Sequence, residues 1–173
     1  MAKRASLERR LQALEREVRR LADIEEIKKL KAEYCFHADD GYDADALADL
    51  YTEDAIWDGG KLFGKYQGRE AIKRFTAGIS RHIVFAVHAV LTPHLEVKGD
   101  TGKGTWYLIQ AATMGKDSQA VWGMAKYTEK YARVDGRWKF KHIKVAFQFF
   151  TPYEKGWAKQ RFLTQDQALA GSG

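Results

Sequence analysis

Cysteine occurs once, at Cys35, so neither an internal disulfide framework nor a cysteine-rich zinc cage can form. No run approaches the ~20 unbroken apolar residues that a membrane span requires. The N-terminus is basic and amphipathic, without an apolar core ending in small residues, so no secretory signal is visible. These absences predict a cytoplasmic, reducing setting and no membrane partner. Nucleotide fingerprints are missing too, because Asp58-Gly-Gly-Lys-Leu-Phe-Gly64 has the spacing of neither phosphate loop. No Gly-x-Ser-x-Gly elbow exists, and Cys35 lacks the surroundings of a catalytic thiol. His82, His88 and His94 are six residues apart, which on one strand face puts roughly 20 Å between successive ones and excludes a shared ion. No metal and no cofactor are expected.

What is present is globular composition. Apolar residues make up 45%, aromatics 13% and charged residues 30% of the chain, which argues against disordered, collagen-like and low-complexity classes. A length of 173 residues predicts one domain with a short appendage. The net charge of +6 raises the question of nucleic acid. The positive charge is dispersed among acidic residues, with no Lys/Arg stripe interleaved with aromatics, so no nucleic-acid partner is expected.

Leu7, Leu11, Leu14, Val18 and Leu21 alternate spacings of four and three, continued by Ile24, Ile27, Leu30 and Tyr34. The pattern predicts a helix from Ala5 to about Ala38, either continuous or broken near Asp23. Residues 1–22 form an amphipathic extension that packs on a partner subunit or across the domain mouth, or stands as a solvated arm. Asp39-Asp40-Gly41 supplies turn chemistry, and Asp43 can cap a short helix, Ala44 to Leu50. A short strand at Ala55–Trp57 and a helix from Gln67 to about Ser80 follow. Four long strands come next: Ile83–Val97, Gly104–Met114, Ala120–Val134 and Arg137–Phe150. The last two are joined by Asp135-Gly136, a strong hairpin signal. Helices followed by an antiparallel meander make an α+β fold, with helices on one face of a curved sheet. Residues 154–173 form a tail in which Trp157–Ala170 can be helical and Gly171-Ser-Gly173 reads as an added linker. Both faces of the late strands carry bulky residues, so one face should line an interior and the other should meet a second subunit.

The polar groups suited to chemistry are His88, Tyr34, Asp39 and Asp40. His88 lies among Val84, Phe85, Val87, Val90 and Leu91, where an imidazole without a partner is costly. A carboxylate on one ring nitrogen would fix its tautomer and leave the other nitrogen as a general base. Tyr34 and Asp39 are five residues apart at the inner end of the first helix, close enough to face one cavity. Each also has a plainer reading: a satisfied core histidine, a packing tyrosine, a helix-end aspartate.

The run Ile24 to Tyr34, then Asp39, Leu47 to Trp57, Gly68 to Ile72, Lys126 to Tyr131, Asp135 to Trp138 and Phe150-Thr-Pro152 resembles the SnoaL-like branch of the nuclear transport factor 2-like superfamily, over residues 23–153. That resemblance implies a cone of N-terminal helices packed on a strongly curved, mostly antiparallel sheet with an apolar pocket inside. Within the superfamily the chain is similar to bile-acid 7α-dehydratases and hexachlorocyclohexane dehydrochlorinase. These use an Asp–His pair to remove a proton from carbon so that a leaving group departs. The twelve-residue interval from Ile27 to Asp39, Tyr34 five residues before it, and His88 on the first long strand match. Two positions depart: Gln110 stands where the dehydratases carry an acid, and the last strand is apolar near Ile143 and Phe147 where the relatives carry an arginine.

The resemblance thus implies His88 as base, Asp39 as its orienting carboxylate (Asp40 if the helix ends a residue later), and Tyr34 as donor to an enolate or departing hydroxyl. Trp57, Phe85, Trp106, Leu108, Gln110, Trp122, Met124 and Phe147 are expected to line the pocket, suited to a neutral, flat, hydrophobic ligand. The expected activity is a cofactor-free, dehydratase-like lyase acting beside a carbonyl on a ring compound such as a steroid or polyketide. Alternatives are an isomerase or cyclase with the same groups, a non-catalytic ligand-binding or oligomerisation domain, or a function carried by the N-terminal helix. A homo-oligomer is expected, a trimer by analogy with the relatives, or else a dimer.

Overall fold

A computed structural model describes residues 2–115 and 118–164. Helix α1 (Ala2–Asp39) is continuous, with no break near Asp23. Leu7, Leu11, Leu14, Val18 and Leu21 are exposed, whereas Asp23, Ile27, Leu30, Tyr34, Cys35 and Ala38 are buried. The buried set recurs every three or four residues, so a single stripe meets the core. The other elements are α2 (Ala44–Asp49), β1 (Tyr51–Asp58), α3 (Gly60–Phe63), β2 (Lys65–Gln67), α4 (Arg69–Ile79), β3 (Ile83–Lys98), β4 (Thr101–Met114), β5 (Gln119–Val134), β6 (Arg137–Pro152) and α5 (Gly156–Lys159).

The sheet order is β2-β1-β6-β5-β4-β3. Every neighbouring pair is antiparallel except β1 and β6, which run parallel. Register shifts between Leu91 and His94, Met124 and Ala125, and Lys130 and Tyr131 are bulges that bend long strands. The bulge at Met124 makes Gln148 the extra residue, so Phe147 and Phe150 both join the core clusters although three apart. Helix α1 packs on β3 and β6, and α4 packs on α2 and β1. Asp23, where burial of α1 begins, accepts hydrogen bonds from Arg133 and from Trp138 Nε1, pinning the helix to the β5–β6 hairpin.

After β6 the chain makes only the single turn α5; Phe162 then bridges Phe150 and Leu163 is buried. The expected tail helix is therefore one turn within the described residues, because Leu163 inserts against Phe150 in extended conformation. The remainder of Trp157–Ala170, and Gly171–Gly173, lie outside the described residues. Among the described residues no helix is long and apolar enough to cross a membrane.

Candidate active site

The site forms where the end of α1 meets the edge strand β3. Asp39 is the last residue of α1, and the chain reverses through Gly41 (φ 75°) and Tyr42 (φ 60°). Asp43 then caps α2, its carboxylate accepting from Asp45 N at 3.1 Å and Ala46 N at 3.0 Å. β3 is an edge strand, so outward backbone N–H groups lack a sheet partner. Asp39 supplies one: its Oδ1 accepts from His88 N at 2.9 Å and lies 2.6 Å from ring Nδ1. A carboxylate on Nδ1 assigns the ring proton to that nitrogen and leaves Nε2 with a lone pair. Gln110, directly across from His88 in the β3–β4 register, places Nε2 3.2 Å from that lone pair and can donate to it.

His88 and Gln110 line a cavity of about 50 Å³ with Tyr34, Trp57, Leu108 and Phe147. Asp39 stands behind the imidazole, its side chain 26% exposed against 6% for His88. Asp40 is exposed at the helix end. Trp106 is buried below the cavity, its indole N–H donating to Tyr131 Oη at 3.0 Å.

Phe85, Trp106, Trp122 and Met124 do not line the cavity, which corrects the expected lining: Trp106 lies in the packed core and the other three lie on the outward face. Phe85 is three residues from His88 and so faces outward, 54% exposed. Gln110 pairs with Gly123, so Gly123 and Ala125 share its face while Trp122 and Met124 take the other. Glycine at 123 makes room for Phe150, since a Cβ there would lie 2.8 Å from that ring.

Sequence reasoning missed Tyr42, Tyr51, Phe63, Phe75 and Tyr127, all of which line the cavity. The inward parity of β5 could have identified Tyr127. Tyr42 could have been noticed as a bulky aromatic inside a turn, in a left-handed conformation that non-glycine residues rarely adopt. Its ring meets His88 edge-on, with centroids 6.1 Å apart. Burial, with a smaller contribution from neighbouring charge, holds the phenols of Tyr34, Tyr42, Tyr51 and Tyr127 well above the usual tyrosine range. For Tyr42 the negative charge of Asp39 adds to the effect, and hydrogen bonding to Gln110 opposes it. At neutral pH these hydroxyls remain protonated donors.

Below the cavity, Lys31 Nζ meets Glu129 Oε1 at 2.7 Å with both side chains fully buried, and lies 3.3 Å from the Tyr127 ring centroid. Burial pushes the Cys35 thiol up to about 11, so it is not a nucleophile at neutral pH. Among the described residues no cluster of three or more His, Cys, Asp or Glu side chains could hold a metal ion.

Comparison with solved structures shows the same architecture elsewhere. A type 2 hexachlorocyclohexane dehydrochlorinase aligns with a TM-score of 0.73 at 25% identity, covering 79% of this chain and 92% of its own. The type 3 enzyme from Novosphingobium barchaimii LL02 aligns with a TM-score of 0.71 at 25% identity, covering 79% and 93%. A protein provisionally named scytalone dehydratase, from Novosphingobium aromaticivorans DSM 12444, shares the fold with a TM-score of 0.70 at 22% identity, covering 77% and 89%. Residues 19–144 match the SnoaL-like domain. That span runs from within α1 into β6 and takes in Asp39, His88 and Gln110, and the chain belongs to the SnoaL-like family within the nuclear transport factor 2-like fold.

Proposed function

We propose that the protein is a cofactor-free lyase that removes a proton beside a carbonyl on a hydrophobic ring compound such as a steroid or polyketide, with dehydration as the reaction. Its family and its similarity to a dehydrochlorinase support lyase chemistry in general terms. One observation carries the reading: the 2.6 Å contact of Asp39 with His88 Nδ1, behind an imidazole that lines a cavity. In this reaction His88 Nε2 takes the α proton as substrate displaces the Gln110 amide. Asp39 supports the resulting imidazolium. The electron pair moves onto the carbonyl oxygen, where a protonated phenol, Tyr34 first, donates a hydrogen bond. The enolate then expels the β-hydroxyl, which takes the proton back from His88 and leaves as water. Isomerisation or ring closure would use the same groups. A direct dyad opening on a cavity favours catalysis over a purely binding domain.

The test uses a neutral 3-ketosteroid with a β-hydroxyl, incubated in D₂O and followed by mass spectrometry. The expected result is α-proton exchange with loss of water, falling by about 10²–10⁴-fold in His88→Gln and in Asp39→Asn. Equal rates for the wild type and His88→Gln would overturn the assignment.

We further infer that the protein assembles with copies of itself, a trimer first and a dimer second. The outward sheet face leaves Phe85, Val87, Leu91, Ile109 and Trp122 exposed, more clustered apolar surface than a lone subunit favours. Residues 1–22 are read as an appendage to the catalytic cone.

A further inference from the structure

Helix α1 carries two stripes on two different sides. The inward one begins at Asp23 and runs through Ile27, Leu30, Tyr34 and Ala38, all buried where the helix packs on β3 and β6. The outward one is Leu7, Leu11, Leu14, Val18 and Leu21, between 50% and 65% exposed. At 3.6 residues per turn the two lie on roughly opposite sides, as the two-residue step from Leu21 to Asp23 already shows. Because the helix is continuous, the outward stripe is turned away from its own cone. The next two positions of its repeat are Glu25 and Lys28, which pair with each other at 2.6 Å, so the stripe ends where the cone begins.

Apolar residues alternating four and three apart are a coiled-coil seam, here with Leu7, Leu14 and Leu21 at d and Leu11 and Val18 at a. The seam is short, but the buried half of α1 has already nucleated the helix, so pairing adds contacts without the cost of starting one. Its flanks are oppositely charged: Lys3 and Arg10 border one side, Glu8 and Glu15 the other. Within the chain Glu8 is held by Arg4 at 3.1 Å, and Glu17, on the basic flank, by Arg20 at 2.6 Å. Among the described residues Arg10 and Glu15 form no ion pair. In a parallel, in-register pair the basic flank of each helix meets the acidic flank of the other, with Lys3 beside Glu8 and Arg10 beside Glu15. An antiparallel pair would set acidic flank on acidic flank, Glu8 against Glu15. Arg9 and Arg16 occupy the back of the helix, away from the seam.

We propose that residues 3–21 are a self-recognition element whose outward stripe docks on the same stripe of a second copy as a parallel, in-register coiled coil, Leu7 on Leu7. A rotation axis along the seam relates the copies and places their cones at the same end of it. The inference depends on neither the catalytic reading nor the exposed sheet face. It concerns how the arms of associated chains meet, whichever surface sets their number.

The test measures disulfide formation in the full chain under mild oxidation, read on a non-reducing gel. Cys35 is buried with a raised thiol, so the unsubstituted chain serves as the blank. Leu7→Cys should cross-link to itself at least about tenfold faster than Arg9→Cys, because a paired seam holds the two thiols together at high effective concentration. Adding Arg10→Glu to Leu7→Cys should slow the cross-link by about fivefold, since attraction along both flanks becomes repulsion. Adding Glu15→Arg as well should restore it. None of these positions is buried, so the cone stays folded in every variant. Equal rates for Leu7→Cys and Arg9→Cys, or a rate indifferent to Arg10→Glu, would overturn the proposal. So would faster cross-linking of Leu7→Cys to Val18→Cys chains than to itself, the mark of an antiparallel pair. Sedimentation with phosphatidylserine vesicles in place of cross-linking would assign the stripe to a membrane surface instead.

Discussion

At the scale of single residues, the cone is filled with polar groups made neutral or paired by burial. Lys31 and Glu129 are paired in the core, so losing either partner leaves a buried charge, a change that typically costs about 3–5 kcal/mol. The tyrosines set the pH response. The phenols of Tyr34, Tyr42, Tyr51, Tyr127 and Tyr131 are all raised, mainly by burial. Each keeps its proton in the fold at a pH where the unfolded chain releases it. Above about pH 10 the unfolded state binds fewer protons, and stability falls by about 1.4 kcal/mol per pH unit for each such group. The contribution is fully present below the unfolded value and is lost as pH rises toward the folded one. The urea midpoint should therefore drop steeply between about pH 10 and 11, with tyrosinate absorbance appearing together with unfolding. Tyrosinate absorbance that rises at ordinary pH with the fold intact would contradict these burial assignments.

At the scale of elements, α3 borders the cavity through Phe63. Gly60 and Gly64 adopt positive φ on either side of Phe63, whose ring packs on Phe147 and Phe150 with centroids 5.5 and 5.8 Å away. Phe63 lines both the cavity that holds His88 and an adjoining outer cavity of about 460 Å³. Phe63→Ala should join them, strengthening binding of larger ring compounds while costing about 3 kcal/mol or less of stability, since the ring is only half-buried. Calorimetry with a ketosteroid and a urea titration would check both; unchanged binding would show that the wall is elsewhere. The pairing of α1 with β3 was legible in outline. Helical spacing put Tyr34 and Asp39 at the end of one buried stripe, and the length of β3 put His88 within it. That Asp39 would take both the backbone N–H and the ring of His88 was not legible, because it depends on β3 being the sheet edge.

At the scale of the whole molecule, the exposed sheet face and the exposed leucines of the first turns of α1 are two separate apolar surfaces. If the sheet face carries assembly, a chain beginning at Asp23 should keep the mass of the full chain's oligomer in sedimentation. Loss of that oligomer on truncation would move assembly to the N-terminal helix, and a monomeric full chain would exclude both.

Periodicity along the chain determined the order of helices and strands, the α+β class and the first helix's inward stripe, because burial of a helix or strand face imposes a 3.6- or two-residue repeat. It also brought Tyr34, Asp39 and His88 forward, since a polar group in an apolar stripe needs a partner. Which aromatics line the cavity was decided only by tertiary structure. The register of Gln110 against His88 and Gly123, and the bulge at Gln148, select the inward face, so Phe85, Trp122 and Met124 point out while Phe147 and Phe150 both join the core.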